Sequence, residues 1–317
     1  MKFILTVLLF AVSSFADGTQ YKDGTKCECD SIQKGYYESG KLMIETSYVN
    51  DKRHGMAKTY YESGKLKYET PYVNGKAHGT DKGYYESGAV KSETPNINGK
   101  AHGIVREYYE SGKLSLEMPY VDGKAHGTVK EYYESGQLEI EATFVNDNMQ
   151  GTEKKYYISG KLKTETPYIN DKAHGTVKEY YESGKLKYEM PFVNSKIDGT
   201  SKEYYESGAL MSETPFLNGK RQGTKFSYHE SGALLVEVPY VNDKRHGTVK
   251  IYYPSGALER EVHFINDKRH GTDKTYFTNG KIAGTATYNE DALVGFKKCT
   301  DGRKGNESLD CNLPKGN

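Results

Sequence analysis

The chain has no tryptophan, and only four of its 317 residues are cysteine. Those four, Cys27, Cys29, Cys299 and Cys311, all stand near the ends. The long middle therefore cannot be stapled by disulfides, nor can it hold the thiolate sets of structural zinc sites. Hydrophobic residues are scarce at 35%, and past the first sixteen positions no apolar run approaches the length of a membrane span. An excess of one charge is missing too: 44 Lys and Arg stand against 43 Asp and Glu, a net of +1. That balance withholds the basic field demanded by nucleic acid or anionic lipid, so neither is expected as a partner.

What the chain has in excess is tyrosine, 29 copies, and regularity. The glycine of a Ser-Gly (once Asn-Gly) dipeptide recurs every 24 residues from Gly40 to Gly280, and a second glycine does so from Gly55 to Gly271. Not one insertion or deletion interrupts either series. Low apolar content alone would suggest disorder, but 12% aromatics at fixed spacing argue for packing. A fixed period of this size marks stacked supersecondary units, none able to bury its apolar face alone.

The N-terminus reads as an address. Lys2 precedes an apolar run over residues 3–12, and Ser14-Phe15-Ala16 forms a small-x-small cleavage site. This is the pattern of a secretory signal peptide cut after Ala16, so the mature chain is expected to be exported, to a periplasm or to the medium. In an oxidising compartment Cys299 and Cys311 are candidates for a disulfide. Cys27-x-Cys29 reads as a local bridge or cap, because two thiolates are an incomplete metal site. The expected organisation is a signal peptide (1–16), an N-terminal cap (17–34), a repeat array (35–288) and a C-terminal cap (289–317).

Within one unit, such as residues 175–198, two runs of strand length are separated by turn chemistry, with no helical periodicity. The expected fold is all-β: an elongated, single-layer antiparallel meander or solenoid of about ten 24-residue β-hairpin repeats, about 100 Å long at ~4.8 Å per strand. A two-residue turn at Ser183-Gly184 sets Glu182 opposite Lys185, Tyr181 opposite Leu186 and Lys178 opposite Glu189. The last pairing recurs: the position of Lys178 is basic in ten of eleven units, Phe226 being the exception. Glutamate occupies the position of Glu189 from Glu45 to Glu261. The Asn-Gly or Asn-Asp dipeptide is expected to open a looser turn. Proline at 71, 95, 119, 167, 191, 215 and 239 lies inside the second strand and predicts a bulge or bend there.

Strand alternation gives each member of the Tyr-Tyr pair a different face. Tyr181, Leu186, Val177 and Phe192 are expected on one; Tyr180, Lys178, Glu189, Glu182 and Lys185 on the other. A single-layer sheet leaves a face uncovered, which makes the second tyrosines candidates for a binding surface: Tyr61, Tyr85, Tyr109, Tyr133, Tyr157, Tyr181 and Tyr205. Seven turn histidines, from His54 to His270, lie about 10 Å apart in such a sheet, too far to share a metal, so turn capping is their expected role. No phosphate loop, zinc motif or nucleophile elbow is present, and identical glutamates in a row do not make a catalytic pair. No catalytic residue, metal or cofactor is expected. Phe226 with His229, and Asn148-Met149-Gln150, depart from the repeat and read as drift.

The unit G-T-V-K-E-Y-Y-E-S-G-K-L-K-Y-E-x-P-[YF]-V-N-x-K-x-x-G resembles the MORN variant-type repeat, which also characterises the YwqK-like antitoxin family. The resemblance spans residues 35–295. It implies stacked β-hairpins in an elongated twisted sheet, and a scaffold that binds another protein rather than an enzyme. An exported member would act as an antitoxin-like neutraliser of a secreted effector, or would self-associate. Membrane association is proposed for classical MORN proteins, and the near-zero net charge here weighs against it. Stacked aromatic hairpins also suit sugar rings, so a glycan or cell-wall module is the alternative.

Overall fold

The computed structural model describes residues 31–297, and those residues contain strands and turns but no helix. The proposed signal peptide, the four cysteines and most of both caps lie outside the described residues. Each repeat supplies two strands, such as Gly175–Tyr180 and Leu186–Val193, and many add a two-residue piece such as Lys196–Ile197. All the pairings are antiparallel: Leu186–Val193 pairs with Gly175–Tyr180 before it and with both Lys196–Ile197 and Gly199–Tyr204 after it, and among the described residues 31 strand segments form one open sheet.

The register matches the charge pattern. Lys178 lies opposite Glu189 within its hairpin, and Glu189 lies opposite Lys202 of the next. An alternating ladder of cation and carboxylate therefore crosses the sheet strand by strand. Where the charges meet, as Lys82 and Glu93 do at 3.5 Å and Arg106 and Glu117 at 3.1 Å, a pair contributes about 0.2–1 kcal/mol, and a one-residue slip would lose the opposition throughout.

The turns differ from expectation. Tyr181 N–H donates to the carbonyl of Lys185 at 2.8 Å, so Glu182-Ser183-Gly184 is a three-residue loop with Gly184 at φ 91°. Tyr180, not Tyr181, stands opposite Leu186. A bulge at the next step restores the register, which is why the Lys178–Glu189 pairing survives. The tight turn is the other one: Val73 pairs with Lys76 around Asn74-Gly75, whose φ values of 49° and 83° fit a type I′ turn. The two turns have exchanged roles because Asn-Gly tolerates two successive left-handed residues, whereas serine does so poorly.

The prolines do not bend their own strands either. Leu66–Val73 runs unbroken through Pro71, and the interruption falls across the ladder, between Lys76–Ala77 and Gly79–Tyr84. There His78 N–H donates to the Pro71 carbonyl at 2.9 Å, and the irregular neighbour asks no N–H of the proline. Where Ser47 or Thr143 replaces proline, the facing strands Lys52–Tyr60 and Asn148–Tyr156 continue for nine residues, whereas opposite His263 the break between Lys268–Arg269 and Gly271–Tyr276 persists.

Alternation sorts the side chains as the register dictates. Val177, Glu179, Tyr188, Met190 and Phe192 share a first face; Lys178, Tyr180, Glu189, Pro191 and Val193 share the second. The core lies on the first face. Met118, Ala125 and Val129 are 2–4% exposed, with Val105, Leu116, Tyr120 and Phe144 packed against them. Val249, Val262 and Phe264 form a second cluster of the same kind. Adjacent rows of one sheet thus cover one another, each buried Val or Met worth about 1.5–3 kcal/mol.

Candidate interaction surfaces

The two tyrosine rows do different structural work. The first tyrosine of each pair reaches back to the glutamate of the preceding repeat: Tyr180 donates to Glu165 Oε2 at 2.9 Å and Tyr252 to Glu237 Oε1 at 2.8 Å. Burial, with the neighbouring carboxylate second, pushes both phenols up to about 12. The second tyrosine reaches forward. Tyr61, Tyr85, Tyr109, Tyr133, Tyr157, Tyr181 and Tyr205 each donate to the backbone carbonyl of the first tyrosine one repeat on, at 2.6–2.8 Å. All seven rings are half-buried. Four of them carry a lysine ammonium above the ring: Lys67, Lys91, Lys163 and Lys187 lie 5.3–5.7 Å from the centroids of Tyr61, Tyr85, Tyr157 and Tyr181. The candidate binding row is thus first of all a row of staples between repeats.

The most regular uncovered apolar surface lies elsewhere. Val73, Ile97, Val121, Val145, Ile169, Val193, Leu217, Val241 and Ile265 are 37–55% exposed, one per repeat, on the second face beside the type I′ turns. A lysine stands directly opposite most of them, as Lys76 does opposite Val73 and Lys196 opposite Val193. This row was missed in the sequence although its signal is plain: an aliphatic residue precedes the turn asparagine in repeat after repeat. Its neighbourhood also holds a shallow groove of about 440 Å³ lined by Thr80, Lys82, Glu93, Pro95, Ile104 and Arg106.

The turns themselves stack. Asp147 N–H donates to the Ala125 carbonyl at 3.0 Å, and Asp147 Oδ1 accepts from Ala125 N–H at 2.8 Å. Toward the C-terminal end arginine replaces that alanine. Arg221 and Arg245 pair with Asp243 and Asp267 at 3.2 and 3.0 Å, and their guanidinium carbons lie 4.1 Å from the centroids of Tyr240 and Phe264. Hydrogen bonds from the arginine backbone hold both carboxylates below the usual range. His102 Nδ1 accepts from Asp122 N–H at 3.4 Å, and among the described residues no three His, Cys, Asp or Glu gather as a metal set.

The apolar row on the first face is interrupted by acids at three repeats. Asp81, Glu153 and Asp273 occupy the position of Val129, and each keeps one buried carboxylate oxygen without a hydrogen-bond partner. Burial pushes Asp81 up to about 6 against the opposing bonds from Thr70 and Asn96. Arg260 answers Asp273 at 3.0 Å, and Lys155 answers Glu153 at 3.5 Å.

A family model described as the MORN repeat variant matches ten segments: 30–50, 53–74, 101–122, 125–146, 149–170, 173–194, 197–218, 221–242, 245–266 and 269–290. The unit it passes over carries Asn96 where every other unit has tyrosine or phenylalanine. No curated protein matches the chain. Among solved structures, the crystal structure of TcdB2-TccC3 aligns at 11% identity with a TM-score of 0.18, over 82% of this chain and 17% of that one. The same complex without its hypervariable C-terminal region aligns with the same identity, coverage and TM-score. The chain thus spans about a sixth of those structures' length.

Proposed function

Because the chain belongs to the family of MORN repeat variants, we propose that it is a rigid, non-catalytic scaffold that binds another protein along its sheet. One observation carries this reading: nine aliphatic side chains recur on one face at 37–55% exposure. Apolar surface repeated in register along a molecule is characteristic of an interaction site. The second tyrosines support that surface by locking repeat to repeat, and the lysines above four of their rings leave less aromatic face for sugar stacking. Protein is therefore preferred to glycan as the ligand. Residues 1–16 would deliver the scaffold beyond the cytoplasm, where an antitoxin-like neutraliser of an exported protein would act.

Capture with the immobilised chain from envelope extract and culture medium tests this reading. A stoichiometric protein should be retained, and Val121→Ser with Val145→Ser and Ile169→Ser should release it while the β-sheet signal persists. Equal retention by the triple variant would exclude the aliphatic row.

A further inference from the structure

The ladder on the second face reveals the one part it lacks. Eight cations of this chain stand between two glutamates, one on each neighbouring strand. Lys202 lies between Glu189 and Glu213, and Lys250 between Glu237 and Glu261. Between Glu213 and Glu237 themselves the residue is Phe226. The departure is a swap rather than a loss. Thr-Val-Lys has become Thr-Lys-Phe, so Lys225 turns to the first face opposite Val238, and an aromatic ring enters the ladder.

The surroundings of Phe226 are built rather than eroded. Tyr228 and Tyr252 donate to Glu213 Oε1 and Glu237 Oε1 at 2.9 and 2.8 Å, fixing both flanking carboxylates. Two residues along the same strands, on the same face, stand Pro215 and Pro239, followed by Leu217 and Val241 at 55% and 41% exposure. Phe226 thereby completes an apolar platform edged by two acids.

We propose that this unit docks a Lys or Arg side chain presented by a protein partner. The aliphatic stem lies along Pro215 and Pro239, and the cationic head lies over the Phe226 ring between Glu213 and Glu237. The inference rests on the protein-binding reading above and adds the chemistry of the contact. Ring quadrupole and both carboxylates favour the same sign of charge, and the chain fills the equivalent place with its own cation eight times. An anionic or purely apolar group would leave each acid with a cation on its outer side only, Lys202 for Glu213 and Lys250 for Glu237.

Fluorescence anisotropy of labelled hexalysine with the full chain at low salt tests it. Wild type should bind, and Phe226→Lys, which fills the gap from within, should bind about tenfold more weakly. The pair Glu213→Gln with Glu237→Gln should weaken binding similarly, and carries the test if Phe226→Lys fails to fold. Glu117→Gln with Glu141→Gln removes the same charge from an occupied stretch and should leave affinity unchanged. Wild-type affinity in Phe226→Lys, equal loss in the control pair, or no binding by wild type would each overturn the proposal. Those results would leave the aliphatic-row reading standing, because that reading is judged by partner capture with the valine and isoleucine variants.

Discussion

Gly127 and Gly151 hold the same place in their repeats but are constrained differently. A Cβ on Gly127 would lie 2.8 Å from Pro119 Cγ, and φ is 123°; at Gly151 nothing lies within 4 Å and φ is 78°. The same split follows proline through the array, with φ of 109–123° opposite proline and 78–88° opposite Ser47, Thr143 or His263. Gly151→Ala should cost about 1 kcal/mol, the ordinary left-handed penalty, and Gly127→Ala clearly more, as chemical denaturation would show. Asp81 offers a second residue-scale test. Its folded pKa, about 6, lies above the ordinary aspartate value of 3.8, so the folded state binds the proton more tightly. The stability this lends is full below about pH 4 and is lost as pH rises through about 6. Asp81→Asn should therefore raise the melting temperature at pH 7.5 and lose that advantage at pH 4.

At the scale of the element, stability resides in the joints between hairpins. Each tyrosine staple replaces a solvated carbonyl by a half-buried bond worth about 1 kcal/mol. Tyr133→Phe should lower unfolding free energy by about that amount with the β-sheet spectrum unchanged. His229 occupies a staple position with a ring too short for the task, and its buried Nε2 has no partner. The same repeat carries Phe226, so both faces lose a tie at one joint. Hydrogen exchange should be fastest among interior repeats over residues 223–252, and His229→Tyr should slow it. If those amides exchange no faster than those of residues 127–156, the staples are not what couples the repeats. The staples were legible only as a tyrosine repeat, because nothing in one strand says which carbonyl of the next its hydroxyl will meet.

At the scale of the whole molecule, the array is nearly one-dimensional. Units touch only their neighbours, so stability grows by addition. Deleting residues 127–150, one whole period, should yield a shorter protein with the same β-sheet signal per residue. Deleting 23 residues from the same place would put the ladder out of register and turn the apolar row to the wrong face, and should give aggregated protein. Circular dichroism and sedimentation would distinguish the two.

The period, the all-β class, the Lys–Glu register and the faces of Val177, Lys178, Tyr180 and Glu189 could be read from the linear chain, whereas Leu186 was expected beside Tyr181 and lies opposite Tyr180. Each depends on spacing between residues near in sequence, and strand geometry converts spacing directly into position. Which dipeptide makes the tight turn, where proline displaces the ladder, and which apolar row stays uncovered were decided only in the folded sheet. Those outcomes depend on what the neighbouring hairpin places alongside. The tyrosines show the division most clearly: their repetition announces that they matter, and only their hydrogen-bond partners show that they bind the molecule to itself.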